Sequence, residues 1–387
     1  MQIAYVTETY PPEINGVALT VARTVRELAA RGHRVRLIRP RQPGEARCDD
    51  ADEWRTAGLP LPMYRDLRFG LATVGALKRR FATHAPALVH VATPGPLAWA
   101  AVLAARSLGL PVTSDFRTNF HQYSGYYGLG LFGPLVLGGL RRFHNATARS
   151  FVPTHAAQRA LQAQGFGNLV VVGRGVDTAC FNPARRDAAL RAAWGAAEPG
   201  SRVLLHVGRL AKEKNAALAL NAFERLRAQW PQWRMVVVGD GPQRAALEAA
   251  HPAVHFAGVR TGEALAACYA SADAFVFPSL TDTFGNVVLE ALASGLPVLA
   301  FDAAAAQEHV EHGRSGLLVP LGDTAGFEAA MASLMQRLSH GGEAMGAAAL
   351  QTARGLGWAA TMTLFEAQLQ EAAHAGRTVS APTPLVA

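Results

Sequence analysis

Between Thr283 and Phe301 every residue is neutral except Glu290, and a second acid, Asp282, stands eight positions before it in SLTDTFGNVVLEALASG. A lone buried carboxylate is costly, and without a donor it is driven towards its neutral form. Two adjacent hydroxyls, such as those of a ribose, would supply such donors. Upstream, HVGRLAKEKN at 206–215 gathers Arg209, Lys212 and Lys214. The chain has three lysines, Lys78 being the other, so two within three positions stand out among arginines. A compact ammonium beside a planar guanidinium suits a diphosphate, although a solvated basic loop has the same composition. Gly285 permits close backbone approach, and free N–H groups of residues 283–287 at a helix start would form an anion-binding nest. Glu290, further along that helix, would repel the same anion, so hydroxyls suit it better; the alternative is a structural carboxylate with a protein partner. Asp282 precedes the nest, where it could reach the group beyond the phosphates or cap the helix.

Strands must hold these residues. RVLLHVGR leads into the basic loop and AFVFPS into the second stretch. In open α/β sheets, loops after the carboxyl ends of strands face the ligand crevice. RMVVVGD, VHFAG and LPVLAF alternate around them with Ala- and Leu-rich helices. Earlier in the chain QIAYV, VRLIRP, LVHVAT, PVTSDF and SFVPT also read as strands, and GVALTVARTVRELAARG has helical spacing. Such alternation means βαβ units with parallel sheets covered on both faces. A chain of 387 residues exceeds one ordinary core. The expectation is an α/β protein of two doubly wound, Rossmann-like domains facing a central cleft. The boundary falls in VVVGRGVDTACFNPARRD, giving residues 1–178 and 179–357, then a terminal helix at about 358–375 and a Pro/Thr/Ser-rich flexible tail at 376–387.

Composition excludes several classes. The three cysteines, Cys48, Cys180 and Cys268, are scattered and form no C-x-x-C, which gives no zinc or disulfide framework and fits a reducing cytoplasm. No apolar run is long enough to span a bilayer. The opening MQIAYVTETYPP has no basic n-region and reads as a strand rather than a leader. Residues 1–180 hold 21 Lys and Arg against 11 Asp and Glu, and residues 181–387 hold 16 against 18, so the net +8 sits in the first half. That half could face an anionic membrane or another polyanion, although an Arg-rich composition alone would also raise the charge. Asp50-Ala51-Asp52 is a D-x-D in polar sequence and reads as a solvated acidic loop, not a metal site. GLGLFG at 128–133 fits a dinucleotide fingerprint by letters but follows SGYYG rather than a strand.

The D-x7-E spacing, the A-x-A-S-G-L-P-V that follows and the earlier G-R-x-x-x-E-K resemble retaining glycosyltransferases of family 4, which have the GT-B fold. The likeness extends over nearly the whole chain, through ETYPPEINGVALTVARTVRELAARGHRVRLIRP, VVVGRGVDTACFNP, MVVVGDGP, YASADAFVFPS and HGRSGLLVPLGD. T-D-T-F-G-N-V-V-L-E-A is most similar to GDP-mannose-dependent α-mannosyltransferases, with sulfolipid synthases as near relatives. The resemblance implies that Arg209 and Lys214 hold the donor diphosphate, Glu290 the ribose, and the backbone of Thr283, Phe284, Gly285, Asn286 and Val287 the phosphates. It implies that Gly16 lets the first helix approach the same phosphates and that the base lies near Gly258–Arg260. Asp282, where the family usually has Glu, would contact the transferred sugar. The family's F-H-T histidine is replaced in SDFRTNFHQY by Arg117, which cannot serve as a base at neutral pH, with His121 four residues on. Either could still face the reacting sugar, and a lone His is as readily structural. No cofactor and no metal is implied.

On the acceptor side, YRDLRFGLATVGALKRRFATH sets Arg65, Arg68, Lys78, Arg79 and Arg80 beside Leu67, Phe69, Leu71, Val74, Leu77 and Phe81, and YYGLGLFGPLVLGGLRRF ends in Arg141 and Arg142. Basic charge beside apolar residues fits an anionic leaflet, and core-packed segments with basic rims fit equally. The leading expectation is transfer of mannose to a lipid or lipid-linked acceptor by a cytoplasmic enzyme, peripheral on the inner membrane face, with no nucleic acid partner. A UDP-sugar donor, glucose for example, shares every motif. A non-catalytic nucleotide-sugar binder is disfavoured by the intact Arg209, Lys214 and Glu290 set, and an NAD oxidoreductase by the lack of G-x-G-x-x-G after IAYVTETYPP.

Overall fold

The computed structural model describes residues 1–13, 16–61, 64–116 and 133–380, with side chains described outside 61–67 and 377–380. The chain forms two compact units, residues 1–173 with 362–387, and residues 174–361. Sequence placed the divisions near 178 and 357. Residues just after Gly173 go with the second unit because Val176 N–H bonds the Leu356 carbonyl at 2.9 Å and Val176 pairs with Gly357 in a parallel bridge.

The first unit contains β1 (Gln2–Val6), β2 (Arg34–Pro40), β3 (Glu53–Leu61), β4 (Tyr64–Leu71), β5 (Leu88–Val91), β6 (Val112–Asp115), β7 (Arg149–Val152) and β8 (Leu169–Val171). They form one sheet in the order β4-β3-β2-β1-β5-β6-β7-β8, parallel except for β3 against β4. β1 is central, and Ile3, Ala4, Tyr5 and Val6 are all buried, as expected where both faces of a parallel sheet are covered. The terminal helix Trp358–Ser380 runs five residues past its expected end. From Met362 onward it belongs to this unit, burying Met362, Phe365 and Leu369 and pairing Glu366 with Arg31 at 3.1 Å and Glu371 with Arg149 at 2.7 Å.

The β3–β4 hairpin departs from expectation. From sequence, Tyr64–His84 reads as one basic, apolar-flanked segment. The structure divides it into β4 and the helix Val74–His84, whose first turn is capped by Thr73 accepting from the Ala76 N–H at 3.2 Å. Pro60 and Gly70 weaken each strand signal, and antiparallel pairing supplies what neither strand has alone. Leu77 and Phe81 of the helix face the core. Arg80 lies over the Trp54 ring and pairs with Asp49.

The second unit contains β9 (Arg202–Val207), β10 (Trp233–Val238), β11 (His255–Gly258), β12 (Ala274–Phe277), β13 (Val298–Phe301) and β14 (Gly316–Val319), all parallel, in the order β11-β10-β9-β12-β13-β14. Alternate residues of β9 serve opposite faces: Val203, Leu205 and Val207 pack in one apolar cluster and Leu204 in another. The strand order reverses between β9 and β12 here, and between β1 and β5 in the first unit. These are the positions where ligand crevices open in doubly wound sheets.

At the first reversal, Glu8 closes the gap between the loops. Its backbone N–H bonds Thr93 Oγ1 at 2.7 Å, and its carboxylate accepts from the N–H groups of Gly70 (2.5 Å), Leu97 (3.0 Å) and Ala98 (3.3 Å), the last two in the first turn of the helix Pro96–Ser107. A side chain on Gly95 would collide with this carboxylate, so glycine is needed there. Burial pushes the Glu8 carboxyl up to about 7, against the pull of the Gly70, Ala98 and Leu97 amides. Its folded value lies above its ordinary 4.5, so the native state holds the extra proton between the two and stability falls as pH rises through that window. The unfolding free energy of the wild type should therefore fall more steeply than that of Glu8→Gln between about pH 5 and pH 7, by up to about 1.4 kcal/mol per pH unit. Parallel curves in urea titrations at several pH values would rule this out.

Candidate functional site

At the second reversal, the loops after β9 and β12 leave adjacent strand ends. They are joined by a backbone bond from Leu280 N–H to the Glu213 carbonyl at 2.9 Å. In the first loop, Lys212–Lys214 form a single 3-10 turn and Asn215, with φ 54°, swings the chain into the helix Ala216–Leu226. The Lys214 ammonium lies 2.7 Å from Asp282 Oδ2, 3.4 Å from the Thr281 carbonyl and 5.9 Å from the centre of the Phe277 ring. Ser279 Oγ donates to the same Asp282 oxygen at 2.9 Å. Arg209 is about half exposed, its nearest acid being Glu213 at 4.0 Å. Below the loop, His206 is fully buried, its Nδ1–H donating to the Val276 carbonyl at 3.0 Å; burial pushes the imidazole down to about 4, so it is neutral.

Gly285 adopts φ 90°, a left-handed conformation open to glycine at no steric cost, and precedes the helix Asn286–Ala293. It occupies the cap position, and no side chain among the described residues caps this helix. Asp282, for which a cap was one reading, instead bonds Lys214 and Ser279. Phe284 is buried, with the Arg174 guanidinium 5.7 Å from its ring centre and the His309 ring edge-on at 6.0 Å. Its carbonyl accepts from Ala305 N–H at 2.7 Å. Among the described residues, Asn286 Oδ1 and Thr281 Oγ1, on either side of Gly285, are buried without a hydrogen-bond partner. A small pocket opens beside Asp282, lined by Phe277, Ser279, Phe284, Val288 and Phe301 among others.

Glu290 lies four residues into the helix and accepts a hydrogen bond from the Tyr269 hydroxyl at 2.9 Å. The side chain is half-buried by surface but densely surrounded, and burial pushes its carboxyl up to about 7, with the Tyr269 hydroxyl pulling the other way.

The structure thus gathers Lys214, Asp282, Thr283, Phe284, Gly285, Asn286, Val287 and Glu290 on two adjoining loops and one helix, with Arg209 on the first of those loops. Gly258 ends the edge strand β11, two strands from β9, with φ 71°. Gly16 begins the helix Gly16–Ala30 in the other unit. Arg117 and His121 lie outside the described residues. Ser279, His206, Arg174 and Tyr269 were not marked from sequence. All four lie inside motifs quoted above, Tyr269 and Ser279 as the first and last residues of YASADAFVFPS, Arg174 in VVVGRGVDTACFNP and His206 at the start of HVGRLAKEKN. Among the described residues, no three His, Cys, Asp or Glu side chains cluster as metal ligands would.

Two sheets, parallel except for β3 against β4, each with a strand-order reversal, define a protein of two doubly wound α/β units. The Glycosyltransferase Family 4 description matches residues 14–179, and Glycosyl transferases group 1 matches residues 201–337. A GDP-mannose-dependent alpha-mannosyltransferase of Mycobacterium tuberculosis is 34% identical over 92% of this chain and 93% of its own length. The sulfoquinovosyl transferase SQD2 of Arabidopsis thaliana is 32% identical over 68% of this chain and 53% of its own. An alpha-monoglucosyldiacylglycerol synthase of Streptococcus pneumoniae is 27% identical over 78% and 71%. Among solved structures, a sucrose-phosphate synthase from Thermosynechococcus elongatus superposes with a TM-score of 0.76 at 20% identity, over 97% of this chain and 99% of that one. The chain belongs to glycosyltransferase family 4 and has the GT-B fold.

The Lys214–Asp282 pair is mostly shielded from solvent. Removing one partner leaves the other charge uncompensated, which costs more than removing both. Lys214→Ala and Asp282→Ala should each destabilise the protein, and the double variant should lose less than the sum, with a coupling of about 1–2 kcal/mol in denaturant unfolding. Strict additivity would show that the pair is not formed in solution.

Proposed function

We propose that this glycosyltransferase moves a mannosyl group from GDP-mannose to a lipid or lipid-linked acceptor, with retention of anomeric configuration and without a metal ion. The observation that carries the proposal is the Lys214–Asp282 contact at the β9/β12 reversal, with the glycine-capped helix and Glu290 directly after it, in a chain similar over nine-tenths of its length to a GDP-mannose-dependent mannosyltransferase.

In this reading the nucleotide's ribose hydroxyls donate to Glu290. Backbone N–H groups at 283–287 and the cations of Arg209 and Lys214 meet the diphosphate. As the bond from the anomeric carbon to the diphosphate breaks, negative charge grows on the leaving oxygen and positive charge on the ring. Fixed positive groups stabilise the former without reorganising. Asp282, beside the ammonium that meets the leaving group, in this reading receives the hydroxyls of the transferred sugar. The acceptor oxygen enters on the face the diphosphate leaves, and orientation of the two substrates supplies the rest of the acceleration.

A lipid acceptor is supported by the surface of the first unit. The helix Gly133–Asn145 exposes Leu135 and Val136 early and Arg141 and Arg142 late, while Leu140, Phe143 and His144 turn inward. Lys78 and Arg79 lie outward on Val74–His84. No described helix is long and apolar enough to cross a membrane. An enzyme that lies on an anionic leaflet needs only such a basic, apolar-studded surface.

Incubation with GDP-mannose, UDP-glucose and UDP-N-acetylglucosamine plus a membrane extract, with and without EDTA, should yield a mannosylated lipid from GDP-mannose alone, insensitive to the chelator, by mass spectrometry and anomeric NMR. Use of UDP-glucose would replace the donor assignment. Lys214→Ala and Glu290→Ala should each lower kcat/KM by about 100-fold or more; full activity in both would remove the site. In flotation assays the protein should bind vesicles containing anionic lipid and leave them as salt rises, and equal binding to neutral vesicles would count against the surface assignment.

A further inference from the structure

Tyr269 lies in the helix Gly262–Ser271 that leads into β12. It is fully buried, with Phe181 edge-on at 5.6 Å and Phe275 tilted at 5.7 Å. These rings fix the phenol plane, so the direction of its hydroxyl is set by the core. That hydroxyl donates to Glu290 Oε2 at 2.9 Å. Among the described residues Oε1 receives no hydrogen bond.

Two explanations of this pair differ in energy. If it served packing alone, the carboxylate would be a poor choice. A phenol is satisfied by any carbonyl, whereas a buried carboxylate is among the most costly groups to desolvate. A phenylalanine and an aliphatic side chain would fill the same volume without that penalty. If the carboxylate serves a ligand, the phenol has a clear task. The terminal torsion of a glutamate is broad, and one fixed donor on Oε2 selects a single carboxylate plane, leaving Oε1 and the outer lone pair of Oε2 to accept. An acceptor-only group with two outward lone-pair sites suits a vicinal diol.

We propose that Tyr269 is a positioning residue that locks the Glu290 carboxylate to receive the adjacent ribose hydroxyls of the bound nucleotide, and thereby sets discrimination between ribo- and 2′-deoxyribonucleotides. The inference rests on the ribose role assigned to Glu290 above. Arg209, Lys214 and the backbone nest act on the diphosphate and are indifferent to the sugar's 2′ position, so the discrimination falls on the Glu290–Tyr269 unit.

The test is calorimetric binding to the full chain of GDP, UDP and their 2′-deoxy forms, with thermal unfolding confirming that each variant is folded. The wild type should bind the ribonucleotide it prefers about tenfold or more tighter than its 2′-deoxy form, the scale of a hydrogen bond to a charged group. Tyr269→Phe should weaken the ribonucleotide about tenfold and bring the ratio near one. In a Glu290→Gln background, Tyr269→Phe should change the ratio by less than about twofold, because the phenol acts through the carboxylate. A wild-type ratio in Tyr269→Phe, or an undiminished effect in the Glu290→Gln background, would overturn the proposal while leaving the role of Glu290 intact. A wild-type ratio in Glu290→Gln alone, or no binding of either nucleotide by the wild type, would overturn the ribose assignment and this proposal with it.

Discussion

The site depends on one seam between two loops. Parallel strands send the loops that follow them to the same edge, and where the order reverses between β9 and β12 the two loops lead to helices on opposite faces of the sheet. Here they are joined by the Leu280–Glu213 backbone bond and by Lys214 against Asp282. Each charge alone would be a mostly buried, uncompensated ion, whereas together they allow the loops to close over Phe277 and Ser279. The ammonium has three donors, and Asp282 engages one at 2.7 Å while the Thr281 carbonyl stands at 3.4 Å, so it retains capacity for an incoming anion. The helix Asn286–Ala293 then starts where the seam ends, because Gly285 turns the chain through a left-handed conformation.

The two carboxylates held near 7, Glu8 and Glu290, show how the same shift can accompany opposite roles. Glu8 is supplied with three backbone N–H donors, two from one helix start. It joins the loops around β1 to the hairpin and to the helix Pro96–Ser107. Among the described residues, Glu290 receives one phenol on Oε2 and no donor on Oε1. Donor supply, rather than burial, separates the carboxylate that holds the fold from the one placed to bind.

The architecture and half of the site were legible because their signals are local. Apolar runs bounded by glycine mark the strands of both sheets, and the placement of Lys212, Lys214, Asp282 and Glu290 relative to VLLHV and AFVFPS follows from the general geometry of doubly wound sheets. The partnerships were not legible. Lys214 and Asp282 are 68 residues apart and Tyr269 and Glu290 are 21 apart; each pair meets only once the strands have been ordered, and strand order leaves no mark in local periodicity. The β3–β4 hairpin was missed for a related reason, since Glu53–Leu61 and Tyr64–Leu71 are strands by virtue of each other. Asp282 reads as a helix cap from sequence because Asp commonly serves there, but Gly285 occupies that position.

The terminal helix imposes an order of assembly. Residues 174–361 emerge from the ribosome after the strands of the first unit and before Met362, Phe365 and Leu369, which complete that unit's core beside His90 and Phe151. The second unit can therefore finish folding while the first still exposes the apolar groove that its last helix will fill. During synthesis the first unit is the protein's exposed and unfinished half, and a chaperone that shields apolar surface would find its binding site there rather than on the half that carries Lys214 and Glu290.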